Sequence, residues 1–171
     1  MAHNTWFIAD THFGHNNIIQ YCDRPFEDIR EHDQKLMENW NKHIKGKDTV
    51  YHLGDFGWNT DILSKLHGNI HLIRGNHDKD IVLNHPRFLK TGVKHVHILK
   101  RNKVIYYLSH YAHRSWPHQF HGSIHLFGHS HGNLEDFGRS TDVGVDRWEY
   151  APVSIEQINE YMADVKIETE K

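Results

Sequence analysis

The chain carries a set of oxygen and nitrogen donors whose spacing suits a divalent metal ion. Asp10-Thr11-His12 places a carboxylate beside an imidazole, and Gly54-Asp55 adds a second carboxylate. Gly75-Asn76-His77-Asp78 supplies an amide oxygen, an imidazole and a third carboxylate within one turn, after a glycine that permits an unusual backbone. Gly128-His129-Ser130-His131-Gly132 offers two imidazoles flanked by glycines, and Ser109-His110 adds one more. Each fragment alone is ordinary: D-x-H reads equally as a hydrogen-bonded pair, and Gly-Asp is common turn chemistry. Together they form a donor set of imidazole and oxygen without thiolate, which suits Mn, Fe, Co, Ni or Zn.

Every cluster follows an apolar or β-branched run. Trp6–Ala9, Thr49–Leu53, Ile70–Arg74, Val104–Leu108 and Ile124–Phe127 read as buried strands, each ending where a polar cluster begins. Side chains alternate along an extended segment, so Asp10 and His12 are expected on one side. In open α/β sheets ligands bind beyond the carboxyl ends of the strands, so all five groups are expected on one rim.

The remaining pattern supplies helices. Glu31–Ile44 repeats Leu36, Met37, Trp40 and Ile44 at helical spacing, and Thr60–Leu66 reads as a short helix before Gly68. Phe13–Phe26 reads as irregular, and Asp80–Leu83 as one turn ended by Pro86. Val93–Leu108 reads as two strands joined at Arg101-Asn102-Lys103, and Ser154–Met162 as a helix opened by a Ser154/Gln157 capping box. The order predicts a layered α/β sandwich of mixed sheets with helices outside.

Composition narrows the classes. A chain of 171 residues suits a single domain spanning 1–171, and a net charge of -2 gives no footprint of a general nucleic-acid binder. No apolar run approaches the roughly 20 residues of a membrane span. The first residues lack the regions of a signal peptide, and a lone cysteine, Cys22, excludes an internal disulfide, so a cytoplasmic location is expected. Cys22 lies outside every cluster and is not expected to be a ligand. Of the 19 histidines most are expected to pack or face solvent, among them His32, His43, His67, His85, His95, His97 and His118.

The ordered set D-x-H, G-D, G-N-H-D, a separate His and G-H-x-H resembles the calcineurin-like metallophosphoesterase superfamily, from Asp10 to His131. The opening Asp10-Thr11-His12-Phe13-Gly14-His15 is similar to its small bacterial and phage-type branch. Gly54-Asp55-Phe56 lacks the Asp-Arg-Gly continuation of its Ser/Thr protein phosphatases, which argues against that activity. The resemblance implies a four-layer αββα sandwich and two divalent cations, Mn first and Fe, Ni, Co or Zn as alternatives. It implies Asp10, His12, Asp55 and His131 around one cation and Asp55, Asn76, His110 and His129 around the other. Asp55 would bridge, as two cations about 3.5–4 Å apart need a shared anionic ligand.

The resemblance also implies phosphate-ester hydrolysis by a metal-bridging hydroxide, with His77 as the acid beside the leaving oxygen and Asp78 orienting its ring. A phosphodiester is the expected substrate, small and nucleotide-like, with a phosphomonoester or a non-catalytic metal-binding scaffold as alternatives. His15, Arg74 and Arg114 are candidate substrate contacts. Tyr111–His118 reads as a hydrophobic lid or, alternatively, a base-stacking segment. Asp142-Val143-Gly144-Val145-Asp146 resembles the family's closing strand. The rivals fit less well: an HD-type phosphohydrolase would be helical, and a metallo-β-lactamase-like site needs H-x-H-x-D-H, which Gly132-Asn133 breaks.

Overall fold

The computed structural model describes residues 3–167. Its strands are β1 (Thr5–Ile8), β2 (Thr49–His52), β3 (Asn69–Leu72), β4 (Val96–Arg101), β5 (Val104–Ser109), β6 (Ile124–Phe127), β7 (Ser140–Asp142) and β8 (Val153–Ser154). The helices are α1 (Ile18–Tyr21), α2 (Ile29–His43), α3 (Asp80–Leu83), α4 (Pro86–Leu89) and α5 (Ile155–Tyr161). They build two four-stranded mixed sheets, ordered β3-β2-β1-β8 and β4-β5-β6-β7. In the first, β1, β2 and β3 run parallel and β8 is antiparallel to β1. In the second, β5, β6 and β7 run parallel and β4 is antiparallel to β5.

β1 is buried on both faces, which is why its sequence is a continuous apolar run rather than an alternation. Trp6 and Ile8 pack towards α2, in a core with Leu36, Trp40, Val50 and Ile70. Phe7 points the other way, into a second core with Tyr51, Tyr106, Leu108, Leu126 and Val153, closed by Ile155 and Ile158 of α5. The α2 start is set by Asp28, whose carboxylate accepts from the amides of Arg30 and Glu31. The Ser154/Gln157 capping box of α5 is present as expected. At the β4–β5 turn Asn102 and Lys103 both have positive φ, 49° and 67°, matching the strand twist of a tight hairpin.

Several expectations need correction. The short helix expected from Thr60 is of 3₁₀ type and ends at Ser64, α1 interrupts the segment read as irregular, and Pro86, beyond the expected turn Asp80–Leu83, opens α4. The outer face of the second sheet carries no α-helix among the described residues. The segment from 110 to 123 covers it, with one 3₁₀ turn (Gln119–His121) and Trp116 packed on His125 at 5.3 Å between ring centroids. Left-handed residues at both ends of that turn, His118 and Gly122, stop it from extending.

Past the ends of β1 and β7 the two sheets are joined. Ala9 bridges Gly144, with Ala9 N–H donating to Val143 O and Val145 N–H donating to Ala9 O, both at 3.1 Å. This seam fixes the ends of parallel strands from both sheets on one rim. No helix of the described residues is long and apolar enough to cross a membrane.

Candidate metal centre

The loops after β1, β2, β3, β5 and β6 bring the sequence-predicted ligands together in two groups. Donor atoms of Asp10, His12 and His131 lie within 4.8 Å of one another, as do those of Asp55, His110 and His129. One oxygen, Asp55 Oδ2, faces both: it is 3.7 Å from His12 Nε2 and 3.5 Å from His110 Nε2. Asn76 joins the second group through Oδ1, 2.9 Å from His110 Nε2.

The ligand loops are not extended. Asp10, His12, Asp55, His129 and His131 all have left-handed φ, from 48° to 68°. Strand alternation therefore does not explain why Asp10 and His12 converge, as the sequence had suggested. Such backbones cost on the order of 1–3 kcal/mol each and persist where surrounding structure over-determines them. Gly54, at φ +101°, shows how close that packing is: a Cβ there would lie 2.5 Å from His110 Nδ1.

Buried polar groups are normally satisfied. Here Asp10 Oδ1 and His12 Nε2 are buried with no hydrogen-bond partner. Burial pushes the Asp10 carboxyl up to about 7 despite His110 and His131 nearby, so the pocket is short of positive charge. Burial likewise drives His12 down to about 2 in spite of Asp55, which keeps the imidazole in its neutral, ligating form. Burial also opposes ionisation of Asp55, but His110, the His77 amide and His12 outweigh it and hold the carboxylate down at about 2. His110 Nδ1–H donates to Leu53 O at 2.8 Å, which turns Nε2 towards the oxygens of Asn76 and Asp55; although burial works against it, Asp55 and Asp10 raise this imidazole, so the position favours positive charge. Two clusters of buried donors, with Asp10 Oδ1 and His12 Nε2 left without a partner, are what a divalent cation satisfies, so the residues fit a metal site.

A buried layer holds the ligands in place, and most of it was not foreseen. Arg24 Nε and Nη2 donate to the two Asp146 oxygens at 2.8 Å, Nη2 also reaches Asp10 O at 2.8 Å, and Nη1 reaches Thr11 O at 3.2 Å. Asp146 Oδ2 accepts from His131 Nδ1 at 2.7 Å. Although burial works against it, Asp146 and Cys22 raise the His131 imidazole to about 10; surroundings that favour a proton there equally favour a cation. Beyond Arg24, His32 Nε2 lies 2.7 Å from Nη1 and its Nδ1 is 2.9 Å from Asp33 Oδ1, so His32 is a brace. Asp142 accepts from Ser130 Oγ, Gly132 N and Gly144 N, shaping the loop that carries His129 and His131. Cys22, expected to stand apart, lies within 4.8 Å of donor atoms of His131 and Asp146.

The other candidates scatter. His15 Nδ1 is 3.4 Å from His12 Nδ1, and its ring lies 4.4 Å from that of Trp58, so it belongs to the site's edge. His77 is exposed, its amide donates to Asp55 Oδ1 at 2.8 Å, and its ring is 5.7 Å from that of His12. Among the described residues no hydrogen bond joins Asp78 to that ring. Its buried carboxylate accepts from the amides of Asp55 (3.0 Å), Phe56 (2.8 Å) and Gly75 (2.8 Å), tying the Asp55 loop to the Asn76 loop. Burial pushes its carboxyl up, against the pull of those amides. Arg74 stands exposed after β3, with its guanidinium in no hydrogen bond or ion pair among the described residues. Arg114 is exposed and lines a pocket on the outer face of the second sheet, away from the ligand atoms. Within Tyr111–His118, Trp116 is buried as a lid residue, whereas Tyr111 is exposed, 4.6 Å from the His129 ring.

Two mixed sheets with His and Asp donor groups at the ends of their parallel strands define a metallophosphoesterase-like fold. The chain belongs to the calcineurin-like phosphoesterase superfamily, whose domain model matches residues 4–142. It is 35% identical over 167 residues to an uncharacterized protein of Methanocaldococcus jannaschii, covering 90% of this chain and 88% of that one. It is 28% identical over 186 residues to the Gene 66 protein of Mycobacterium phage L5, covering 85% and 87%. The crystal structure of a protein of unknown function from Aquifex aeolicus superposes with a TM-score of 0.76 at 27% identity, covering 94% of this chain and all of that one.

Proposed function

We propose that residues 1–171 form one domain that hydrolyses a phosphodiester with the aid of two divalent cations, in the cytoplasm. The observation that carries this reading is the single Asp55 oxygen facing both donor groups. Asp10, His12, Asp55 and His131 would hold one cation and Asp55, Asn76, His110 and His129 the other, with Mn first and Fe, Ni, Co or Zn as alternatives. Bound there, the cations acidify water and offset the charge that grows on the phosphoryl oxygens.

The chain's own residues supply the rest. His77 donates a proton to the departing oxygen: its ring is exposed at the rim while its amide is tied to Asp55 Oδ1. Asp78 acts by holding the Asp55 and Asn76 loops together. His15, beside His12, contacts the phosphate, and the exposed Arg74 lies on the approach. Asn76 and His77 are open to solvent, which leaves room for groups on both sides of a diester.

Hydrolysis of bis-p-nitrophenyl phosphate by metal-stripped protein re-supplied with Mn tests the reading. Turnover exceeding that of p-nitrophenyl phosphate supports a diesterase. Preference for the monoester would replace it with a monoesterase, and no turnover of either would leave a scaffold.

A further inference from the structure

The loops after β1 and β2 meet beside the first donor group and hold a Trp–Lys pair at its edge. The buried Asp33 carboxylate of α2 accepts from Gly14 N–H at 3.1 Å and from Asn59 Nδ2 at 3.0 Å, which locks the two loops together. Phe13 O accepts from the amides of Trp58 and Asn59, at 2.6 and 3.0 Å. His15 and Trp58 are thereby set ring beside ring, with centroids 4.4 Å apart, and His15 lies 5.3 Å from the ring of His12. Over the Trp58 ring rests Lys79 Nζ, 4.2 Å from its centroid, carried there by the loop of Asn76 and His77. This ammonium is held in place without being neutralised. A cation–π contact fixes a lysine but leaves its charge intact, and among the described residues Lys79 Nζ meets no carboxylate. Its charge reaches the rim: burial first, with His77, Arg24 and Lys79 after it, holds the His15 imidazole below its ordinary range. Lys79 is open to solvent, and Trp58 is 36% exposed.

We propose that Lys79, positioned by Trp58, binds a second negative charge carried on one arm of the substrate, so that the ester hydrolysed is at least doubly anionic. The inference rests on the diesterase reading. The reacting phosphate belongs at the donor atoms, and the rings of His15 and Trp58 stand between His12 and Lys79. An anion that meets Lys79 is therefore a different group from the reacting phosphate, on an arm that reaches past His15. An ammonium is a compact point charge with no planar fork to match, so the subsite reads the charge of the arm more than its shape. The same charge turns away an arm that ends in a cation.

Three symmetrical diesters, bis(2-sulfoethyl), diethyl and bis(2-aminoethyl) phosphate, end in an anion, a neutral group and a cation on both arms. As competitors of bis-p-nitrophenyl phosphate turnover by the Mn-loaded protein, the sulfonate should inhibit best and the amine worst. Their inhibition constants should span roughly tenfold, the scale of one exposed charge attraction gained at one end and one repulsion suffered at the other. Added salt should narrow the span. Lys79→Gln should narrow it severalfold, whereas Lys79→Arg, which keeps the charge, should retain it. Trp58→Leu, which frees an unaltered Lys79, should narrow it too, and an unchanged span there would overturn the positioning role of Trp58. Equal inhibition by the three diesters in wild type, or an undiminished span in Lys79→Gln, would overturn the subsite; attraction of the sulfonate by the metals alone would persist in that variant. If bis-p-nitrophenyl phosphate is not turned over, the diesterase reading fails by itself. Calorimetric titration of the three diesters into Mn-loaded wild type and Lys79→Gln then decides the subsite: the same order of Kd in wild type, flattened in the variant, keeps it, and the same span in both overturns it.

Discussion

Arg24 and Asp146 are 122 residues apart and meet through two parallel hydrogen bonds, each 2.8 Å, with the guanidinium wholly buried. The pair ties the Asp10–Thr11 backbone to the residue that orients His131, so it clamps the Asp10, His12 and His131 donor group from behind.

Removing the Arg24 charge should therefore do two things. Arg24→Leu leaves Asp146 with His131 as its remaining partner and strips the Asp10 and Thr11 carbonyls of their donor, a loss of about 1–3 kcal/mol. It should also weaken cation binding about 10–100-fold, as loss of a group that orients a ligand does. Urea denaturation of metal-free protein and Mn titration measure the two separately. Unchanged Mn affinity in a folded variant would show that the clamp is structural only.

His77 and Asp78 are neighbours with different expected phenotypes. His77→Asn should keep both metals and lose about 10²–10⁴-fold on esters with poor leaving groups. Nitrophenyl esters, which leave without a proton, should lose far less. Asp78→Ala should instead lower stability and metal content together, because three backbone amides lose their acceptor. Full metal occupancy in Asp78→Ala would return Asp78 to the role of orienting the His77 ring.

The buried imidazoles of His52 and His125 predict acid sensitivity in the metal-free protein. Burial pushes both down to about 3. The unfolded chain, with pKa near 6.5, then binds protons that the folded chain does not, so stability is full above pH 6.5 and falls as pH drops towards 3. Each group contributes a slope of about 1.4 kcal/mol per pH unit across that window. His125 is held between Ser109 Oγ and Ser140 Oγ, so His125→Gln should cost stability at pH 7.5 but fall less steeply by pH 5.5. Urea midpoints at the two pH values test this, and parallel slopes would contradict it.

The sequence made the ligands legible because their types and their places after apolar runs are local properties. The strands β1, β2, β3, β5 and β6 announced themselves for the same reason. What stayed hidden is non-local. Arg24 lies in a segment without periodicity, and its meaning depends on a partner that only the folded chain supplies. β7 and β8 are three and two residues long, and the Ser-Thr-Asp of β7 carries no apolar signal. The left-handed turns at Asp10 and His12 leave no mark in the sequence because neither residue is a glycine. Asp78 was read through its neighbour in sequence, whereas its partners lie across the rim at Asp55 and Phe56.

Sharing of Asp55 by two cations is tested most directly by metal stoichiometry. Wild type and Asp55→Asn would be stripped, re-supplied with Mn, desalted and measured for metal by mass spectrometry, with bis-p-nitrophenyl phosphate turnover followed in parallel. Two Mn per chain in wild type, falling to one or fewer in Asp55→Asn together with loss of turnover, is the predicted result. Two Mn retained in a folded Asp55→Asn would contradict the shared ligand.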